Sequence, residues 1–343
     1  MPAAEYSEIA PDTLGAAQEP AIARSHDAMI PSRALLGLLA GGALVLAVLM
    51  RAADLELAIL SPGSLRYAAI LLVLAVIHVS GRRPGWRARP VLRALADLAE
   101  YAGLFMAISL VGAIASYPVA ALSHGFSDAR LQAADAALHF HWLDWYLFVA
   151  SHPWLQPLSR GAYAMIYVSP GLLLGWLAWT GQRREAHDFL AAVWLSATIT
   201  LAAFYFMPAV GPFAYLWHGS IPYLPVSDLW QPQVIPQLRG HAFHAVDPGQ
   251  LVGLVSAPSF HAAAGVLLIA FSARQAWRVA LPLVAIDLAM LLVTPVEGTH
   301  YLIDLILGAG VAGLSLALIA LWRERRGPRG TLPGAGRTSS ALA

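Results

Sequence analysis

The sequence predicts an all-α protein, a polytopic transmembrane helix bundle of about eight spans, and three observations carry that expectation. Of its 343 residues, 58% are hydrophobic and only 12% charged, about half the charged fraction of a soluble domain. Eight stretches are apolar and come near the roughly 20 residues a helix needs to cross the hydrocarbon core, where only internally bonded backbone is stable. Arginine, finally, is shared unevenly between the two sets of connecting loops.

In chain order, residues 1–33 carry Pro2, Pro11, Pro20 and Pro31 among Ala, Glu and Ser without an apolar period, and read as a disordered cytoplasmic tail. The first apolar run starts late and has no basic region at the extreme N-terminus, so a cleaved signal peptide is not expected. Residues 34–93 hold two spans, near 34–50 and 66–80, and an arginine-rich loop. Residues 94–323 hold six more, near 95–117, 158–180, 189–208, 258–273, 279–295 and 300–322, and 324–343 form a basic cytoplasmic tail. With the N-terminus inside, only Arg51, Arg66, Arg130, Arg160 and Arg239 fall outside, so 16 of the 21 arginines are cytoplasmic, as the retention of positive loops requires. Both termini are therefore expected in the cytoplasm, in a multi-pass protein of the plasma (inner) membrane. The run from Arg82-Arg83 to Arg93 is first this topology signal; contact with anionic lipid is a second reading.

Two outer segments are longer than connectors. Within 118–157, the stretch from Phe126 to Trp142 has aromatic and leucine positions suited to a helix at headgroup level. Residues 209–257, rich in Pro, Trp, Tyr and His, read as an ordered cap on the outer face.

Composition also removes whole classes of chemistry. Cysteine is absent, which excludes disulfides, thiolate metal sites and thiol catalysis. All 21 basic residues are arginine, which excludes Schiff-base chemistry and a phosphate-loop lysine. A net charge of +1 argues against nucleic acid as a partner, and no protein partner is predicted.

Two polar motifs interrupt the apolar pattern at the outer ends of neighbouring helices, Ala257-Pro-Ser-Phe-His-Ala262 and Glu297-Gly-Thr-His-Tyr-Leu-Ile-Asp304. His300 and Asp304 are four apart, so on a helix they share a face and the carboxylate can hold the imidazole in one tautomer. Pro258 and Ser259 suit a helix start before His261, and Thr299 suits the cap of a helix beginning at His300. Facing helix N-termini would offer unpaired N–H groups to an anion. Two histidines and one aspartate at an anion site, with no metal-ligand set, favour phosphoryl transfer through a histidine nucleophile. In that scheme His300 attacks phosphorus, Asp304 orients it, and His261 is the general acid and base. Gly298 would let backbone approach the phosphate, and Ser259, Thr299 and Arg160 complete the expected substrate-binding set. Each histidine taken singly reads as a structural residue; two histidines and an aspartate at matched depth read as a site.

The Pro-Ser-Phe-His and Gly-Thr-His-Tyr-Leu-Ile-Asp-Leu-Ile-Leu-Gly blocks resemble the second and third signature motifs of the type 2 phosphatidic acid phosphatase superfamily. They are most similar to its branch of inositol phosphorylceramide synthase and sphingomyelin synthase. The resemblance, spanning about 95–322, implies a six-helix catalytic core within 94–323, a phosphohistidine intermediate, no metal or other cofactor, and a membrane lipid phosphate or phosphodiester as substrate, with either water or a lipid alcohol as acceptor. It implies the same roles for His300, Asp304 and His261, with weaker agreement at Asp135, Trp142 and Pro208-Ala-Val-Gly-Pro212. The chain departs from the superfamily in having no lysine for the first motif and Val293-Thr294 where Ser-Arg is usual. That leaves a phosphate to helix N-termini or to Arg160, Arg130 or Arg239. A simple lipid phosphate or polyprenyl diphosphate phosphatase is the nearest alternative, and a bis-histidine haem electron carrier is the alternative of another class, which the neighbouring Asp304 and Glu297 fit poorly.

Other motifs read as structure. Gly308-Ala-Gly-Val-Ala-Gly313 matches a dinucleotide-binding pattern but lies inside a predicted span with no strand before it, so its small residues, like Gly37 with Gly41 and Gly171 with Gly175, read as helix contacts. Pro170 is expected to kink the fourth span. Asp287 lies about 12 Å below Pro295 on a helix, too deep for a phosphate. His218, His241 and His244 fall in the outer cap; the spacing of the last two suits a metal, but no third ligand is evident and the loop reading is preferred.

Overall fold

The computed structural model describes residues 29–227, 229–242 and 244–326. Of the tails expected at 1–33 and 324–343, residues 1–28 and 327–343 lie outside the described residues, while residues 32–33 and 324–326 are helical, so neither tail is as long as expected. Met29–Ala320 form one compact unit. Its helices in order are α1 (Ser32–Ala52), α2 (Pro62–Ser80), the single turn α3 (Pro84–Arg87) and α4 (Pro90–Leu122). Then come α5 (Asp128–Ala137), α6 (Trp142–Ser151), α7 (Leu155–Ala164), α8 (Ser169–Trp179) and α9 (Arg183–Phe206). Last are α10 (Pro212–Leu216), α11 (Gln231–Arg239), α12 (Phe260–Ser272), α13 (Trp277–Glu297) and α14 (Leu302–Arg326).

Helices α1, α2, α4, α9, α13 and α14 are each long and apolar enough to cross a membrane. The other two expected spans differ in form. The fourth is a pair, α7 with its following turn and then α8, bent by 45°. Pro170 lies in the first turn of α8; it has no N–H to donate and its ring clashes with a preceding helical carbonyl, so the helix breaks and restarts there, as expected. The sixth, α12, has 13 residues, about 20 Å. It starts only at Phe260 because Ser259 caps it, its Oγ accepting from Ala262 N at 3.2 Å. With Ala262, Ala263, Leu267, Leu268 and Phe271 buried, it is covered by protein, where a short helix is tolerated. By contrast α4, at 33 residues, is about 50 Å long and outruns the expected 95–117 at both ends.

One end of the bundle collects the motifs. There α9 ends and α12 begins, α13 hands over to α14, and Ser259 N at the start of α12 donates to Asp304 O of α14 at 3.0 Å. Of the two long connections, 118–157 forms two short helices, α5 and α6, where a single one was expected, and 209–257 is ordered around α10 and α11. A two-residue parallel pairing of β1 (Glu56–Leu57) with β2 (Ala245–Val246) ties the α1–α2 loop to this cap. Ser61 Oγ adds a hydrogen bond to Asp247 Oδ1 at 2.6 Å.

The close-contact reading of the small residues holds at Gly308 and fails at the others. A Cβ at Gly308 would run into the Ser259 carbonyl and Ala262 Cβ, so only glycine lets α14 cross α12 at this point, whereas Gly310 and Gly313 face open space. Nothing lies close to Gly37, Gly41, Gly171 or Gly175 either; it is Gly42 that meets the Trp194 ring. Because the obstacle at Gly308 includes backbone, Gly308→Val is expected to destabilise by about 1–3 kcal/mol and to reduce turnover more than tenfold. Gly310→Val on the same helix is expected to leave both unchanged, measured by thermal unfolding and lipid turnover.

Candidate active site

The loop between α13 and α14 is built around a strained residue. His300 N donates to Pro295 O, continuing the end of α13, and Thr299 then adopts φ +50°, a left-handed conformation unfavourable for a β-branched side chain. Gly211, itself at φ +90°, packs against the Thr299 carbonyl so closely that a Cβ there would lie 2.8 Å from it. The helix begins at Leu302, not at His300, and Thr299 does not cap it. The cap comes from Asp135 on α5, whose two carboxylate oxygens accept from Leu302 N at 2.9 Å and Ile303 N at 2.8 Å.

His300 and Asp304 are nevertheless brought together. Nδ1 of His300 lies 3.5 Å from Oδ2 of Asp304, and both side chains are buried. The same Oδ2 accepts from Tyr301 N at 3.1 Å and from Ser256 Oγ at 3.4 Å. Across from it His261, in the first turn of α12, stacks on Tyr163 of α7 with ring centroids 4.8 Å apart, and its ring lies 6.3 Å from that of His300. Nε2 of His261 is buried with no hydrogen-bond partner among the described residues. Two imidazoles thus lie near each other, one facing a carboxylate and the other stacked on an aromatic ring.

The remaining expected site residues have mainly supporting positions. Ser259 is fully buried and its hydroxyl caps α12. A Cβ at Gly298 would sit 2.7 Å from His300 Cδ2 and 3.1 Å from Tyr163 Oη, so this glycine makes room for the imidazole. Arg160, on α7, reaches the cap: its Nε donates to Tyr223 Oη, Nη2 donates to Leu224 O, and the guanidinium covers the Tyr223 ring. Arg239 donates to Ser123 Oγ and Gly125 O. Carboxylates already take Tyr301 N, Leu302 N and Ile303 N at the start of α14. Phe260 N and His261 N of α12 make no hydrogen bond among the described residues, so of the two helix starts that carry the motifs, α12 and not α14 keeps donors for an anion.

Several residues around the site were not assigned roles from sequence. Asp128 accepts from Val210 N, Gly211 N and Tyr301 Oη, each at 3.0 Å, and so holds the 208–211 turn against the histidine loop. Burial pushes the carboxyls of Asp128 and Asp135 above the ordinary range, and their N–H donors oppose that rise. Glu297, also fully buried, accepts from Ser159 Oγ, from Tyr223 Oη at 2.7 Å and from Val226 N at 3.1 Å, joining α7, the cap and the end of α13. Trp142 Nε1 donates to Pro295 O at 2.7 Å, fixing α6 to the same place. Among the described residues no three His, Asp or Glu side chains form a metal-ligating group.

Long apolar helices and a buried pair of histidines with one aspartate at their shared end define a multi-pass helical membrane protein with a two-histidine site. A family model described as the PAP2 superfamily matches residues 129–318, more than half of the chain, and the chain belongs to that superfamily. Membership supports a lipid phosphatase or phosphotransferase kind of function. The match starts within α5, so α4 lies outside it although the expected core included that helix. No curated protein and no solved structure matches the chain.

Proposed function

We propose that this protein moves the phosphorylated headgroup of a membrane lipid to an alcohol acceptor, through a phosphohistidine on His300, at the outer face of the membrane. The observation that carries the reading is the placement of His300 between Asp304 and His261. With Nδ1 turned to the carboxylate, Nε2 of His300 is the nitrogen left to attack phosphorus. As the N–P bond forms and the P–O bond to the lipid breaks, the imidazolium of His261 gives its proton to the departing oxygen. In the second half-reaction His261 takes a proton from the incoming hydroxyl, its oxygen attacks phosphorus, the P–N bond breaks, and both histidines return to their initial state. Asp304 stabilises the positive charge on His300 throughout.

Transfer is favoured over monoester hydrolysis because the hydrogen bonds of Arg160 and Arg239 are directed at neutral groups of the cap and not at the histidines. Arg160 and Arg239 are bound into the cap, and the unpaired donors beside the histidines are the two N–H groups of α12. A dianionic phosphate calls for bidentate guanidinium contacts, whereas a phosphodiester carries a single charge. This supports the branch of inositol phosphorylceramide synthase and sphingomyelin synthase. The arginine distribution supports an outer-facing site, with both chain ends in the cytoplasm.

The test is a proteoliposome assay offering phosphatidate, phosphatidylinositol with ceramide, and a polyprenyl diphosphate, with His300→Ala as the blank. Headgroup transfer to ceramide without free phosphate is the expected result; free phosphate from phosphatidate or the diphosphate would replace the reading with that of a lipid phosphatase. EDTA is expected to leave turnover unchanged, and a chelator-dependent loss restored by a divalent cation would overturn the metal-free scheme.

A further inference from the structure

A second cavity lies at the other end of the bundle, where α1, α4 and α9 begin and α2 ends. Its volume is ≈ 740 Å³, within the range of small-molecule sites. Away from the arginines the lining is apolar, with Leu36, Leu71, Leu74, Ala75, Gly103 and Leu104, and it forms an open groove in which Leu36 and Ala75 are exposed; the other part carries Arg82, Arg87 and Arg93 with His78. From Leu71 to Gly81 the helix rises about 15 Å, so the groove runs from the arginines well along the apolar part of the bundle.

The charges at the arginine end do not cancel. The two acids lining the cavity, Asp97 and Glu100, are both paired with Arg183, through Nη1 at 3.1 Å and through Nη2 respectively. Arg93 is near enough to Asp97 to act on its charge, and His78 Nδ1 lies 3.6 Å from Glu100. Arg82 and Arg87 are exposed and form no ion pair among the described residues. Four arginines against two acids leave a surplus of two positive charges, carried by guanidinium groups free to bind. Trp86, half-buried on α3 between them, is a side chain suited to headgroup depth.

From this combination we infer that the cavity is a binding site for one anionic phospholipid of the leaflet at that end, with its phosphate on Arg82 and Arg87 and an acyl chain in the Leu71–Leu74–Leu104 crevice. The apolar lining calls for a hydrocarbon chain, and the charge calls for a phosphate whose negative charge is not balanced by a headgroup cation. A guanidinium pair matches phosphate oxygens in two-point hydrogen bonds. At about 30 Å or more along α9 from the histidines, this site is separate from the reaction, and its test does not depend on the proposed chemistry.

The experiment uses the full chain purified in detergent, titrated with phosphatidylglycerol or with phosphatidylcholine, and reads the thermal midpoint together with bound lipid by native mass spectrometry. Phosphatidylglycerol is expected to raise the midpoint and remain bound at one equivalent, and phosphatidylcholine is not. An arginine near an anionic lipid surface contributes roughly a fivefold gain in affinity, so R82Q/R87Q is expected to weaken binding about thirtyfold. Both side chains are exposed and unpaired, so that variant should fold normally. Gly103→Leu places a side chain in the crevice, where an added Cβ meets Leu74 only at an ordinary 3.7 Å; it is expected to weaken binding while every arginine remains. Equal response to the two lipids, no response in the wild type, or an unchanged response in R82Q/R87Q would overturn the assignment.

Discussion

Replacing His300 with alanine is expected to reduce turnover by about 10⁴-fold or more while the protein still folds. The magnitude follows from the kind of group removed: loss of a covalent nucleophile eliminates the two-step route, and the residual rate comes only from binding and whatever stabilisation the surroundings retain. The structure gives reason to expect the fold to survive. The loop at 297–303 is held by groups other than the imidazole, namely Asp135 on Leu302 N and Ile303 N, Asp304 on Tyr301 N, and Asp128 on Tyr301 Oη. The imidazole itself makes no hydrogen bond at Nδ1 that meets ordinary geometry, lying 3.5 Å from the carboxylate. Rapid quenching of the wild type with labelled lipid is expected to trap an acid-labile, base-stable phosphoenzyme that His300→Ala lacks. Turnover in His300→Ala within tenfold of the wild type would remove the covalent route altogether.

Much of this site was legible because membrane helices are hard to interrupt. A polar motif in an otherwise apolar chain has few structural uses, so Pro258 to His261 and Glu297 to Asp304 stood out, and the four-residue spacing of His300 and Asp304 pointed to their pairing. What sequence could not show is how that pairing arises. The spacing suggested a helix already formed at His300, with Thr299 as its cap, but the first N–H groups of α14 are satisfied by Asp135, 167 residues away from Leu302. A cap supplied from so far along the chain leaves no local signal. One signal was available: Asp128 and Asp135 are seven apart, two helical turns, and therefore on the same face of α5. Two acids on one face of a short helix mark where that helix docks.

The anion site was misjudged for a related reason. Helix N-termini attract phosphate only when their N–H groups are unoccupied, and whether a neighbouring carboxylate has taken them is a tertiary fact. Here α14 is closed by Asp135 and Asp304, and α12 stays open because Ser259 satisfies only Ala262 N. Arg160 was expected near the phosphate from its place in an outer segment; its contacts with Tyr223 and Leu224 turn it to the cap, linked through Tyr223 to Glu297. The six long apolar helices, which depend on composition and length, needed no such knowledge.

Asp304→Asn is the expected second-largest loss, about 10²- to 10⁴-fold in kcat with little change in KM. The substitution keeps the size of the side chain, and its amide oxygen can still accept from Tyr301 N and Ser256 Oγ, so the start of α14 is expected to hold and the thermal midpoint to stay within a few degrees. What changes is the group facing His300 Nδ1. A carboxylate there favours a proton on Nδ1 and leaves Nε2 basic; the amide oxygen that keeps Tyr301 N and Ser256 Oγ also faces Nδ1, because Oδ2 serves all three, but it carries no charge and so makes Nε2 a weaker nucleophile. The carboxylate's stabilisation of the imidazolium is lost as well. Both effects act on the transition state and not on lipid binding, so the loss belongs in kcat and in the single-turnover rate of phosphoenzyme formation. Asp135→Asn supplies the contrast. It weakens a cap on the same loop without touching either imidazole, so it is expected to lower the thermal midpoint while phosphoenzyme formation per folded molecule falls less than tenfold. If Asp304→Asn instead behaved like Asp135→Asn, losing stability but forming phosphoenzyme at nearly the wild-type rate, the 3.5 Å contact would be a structural one, and the basicity of His300 would have to come from elsewhere.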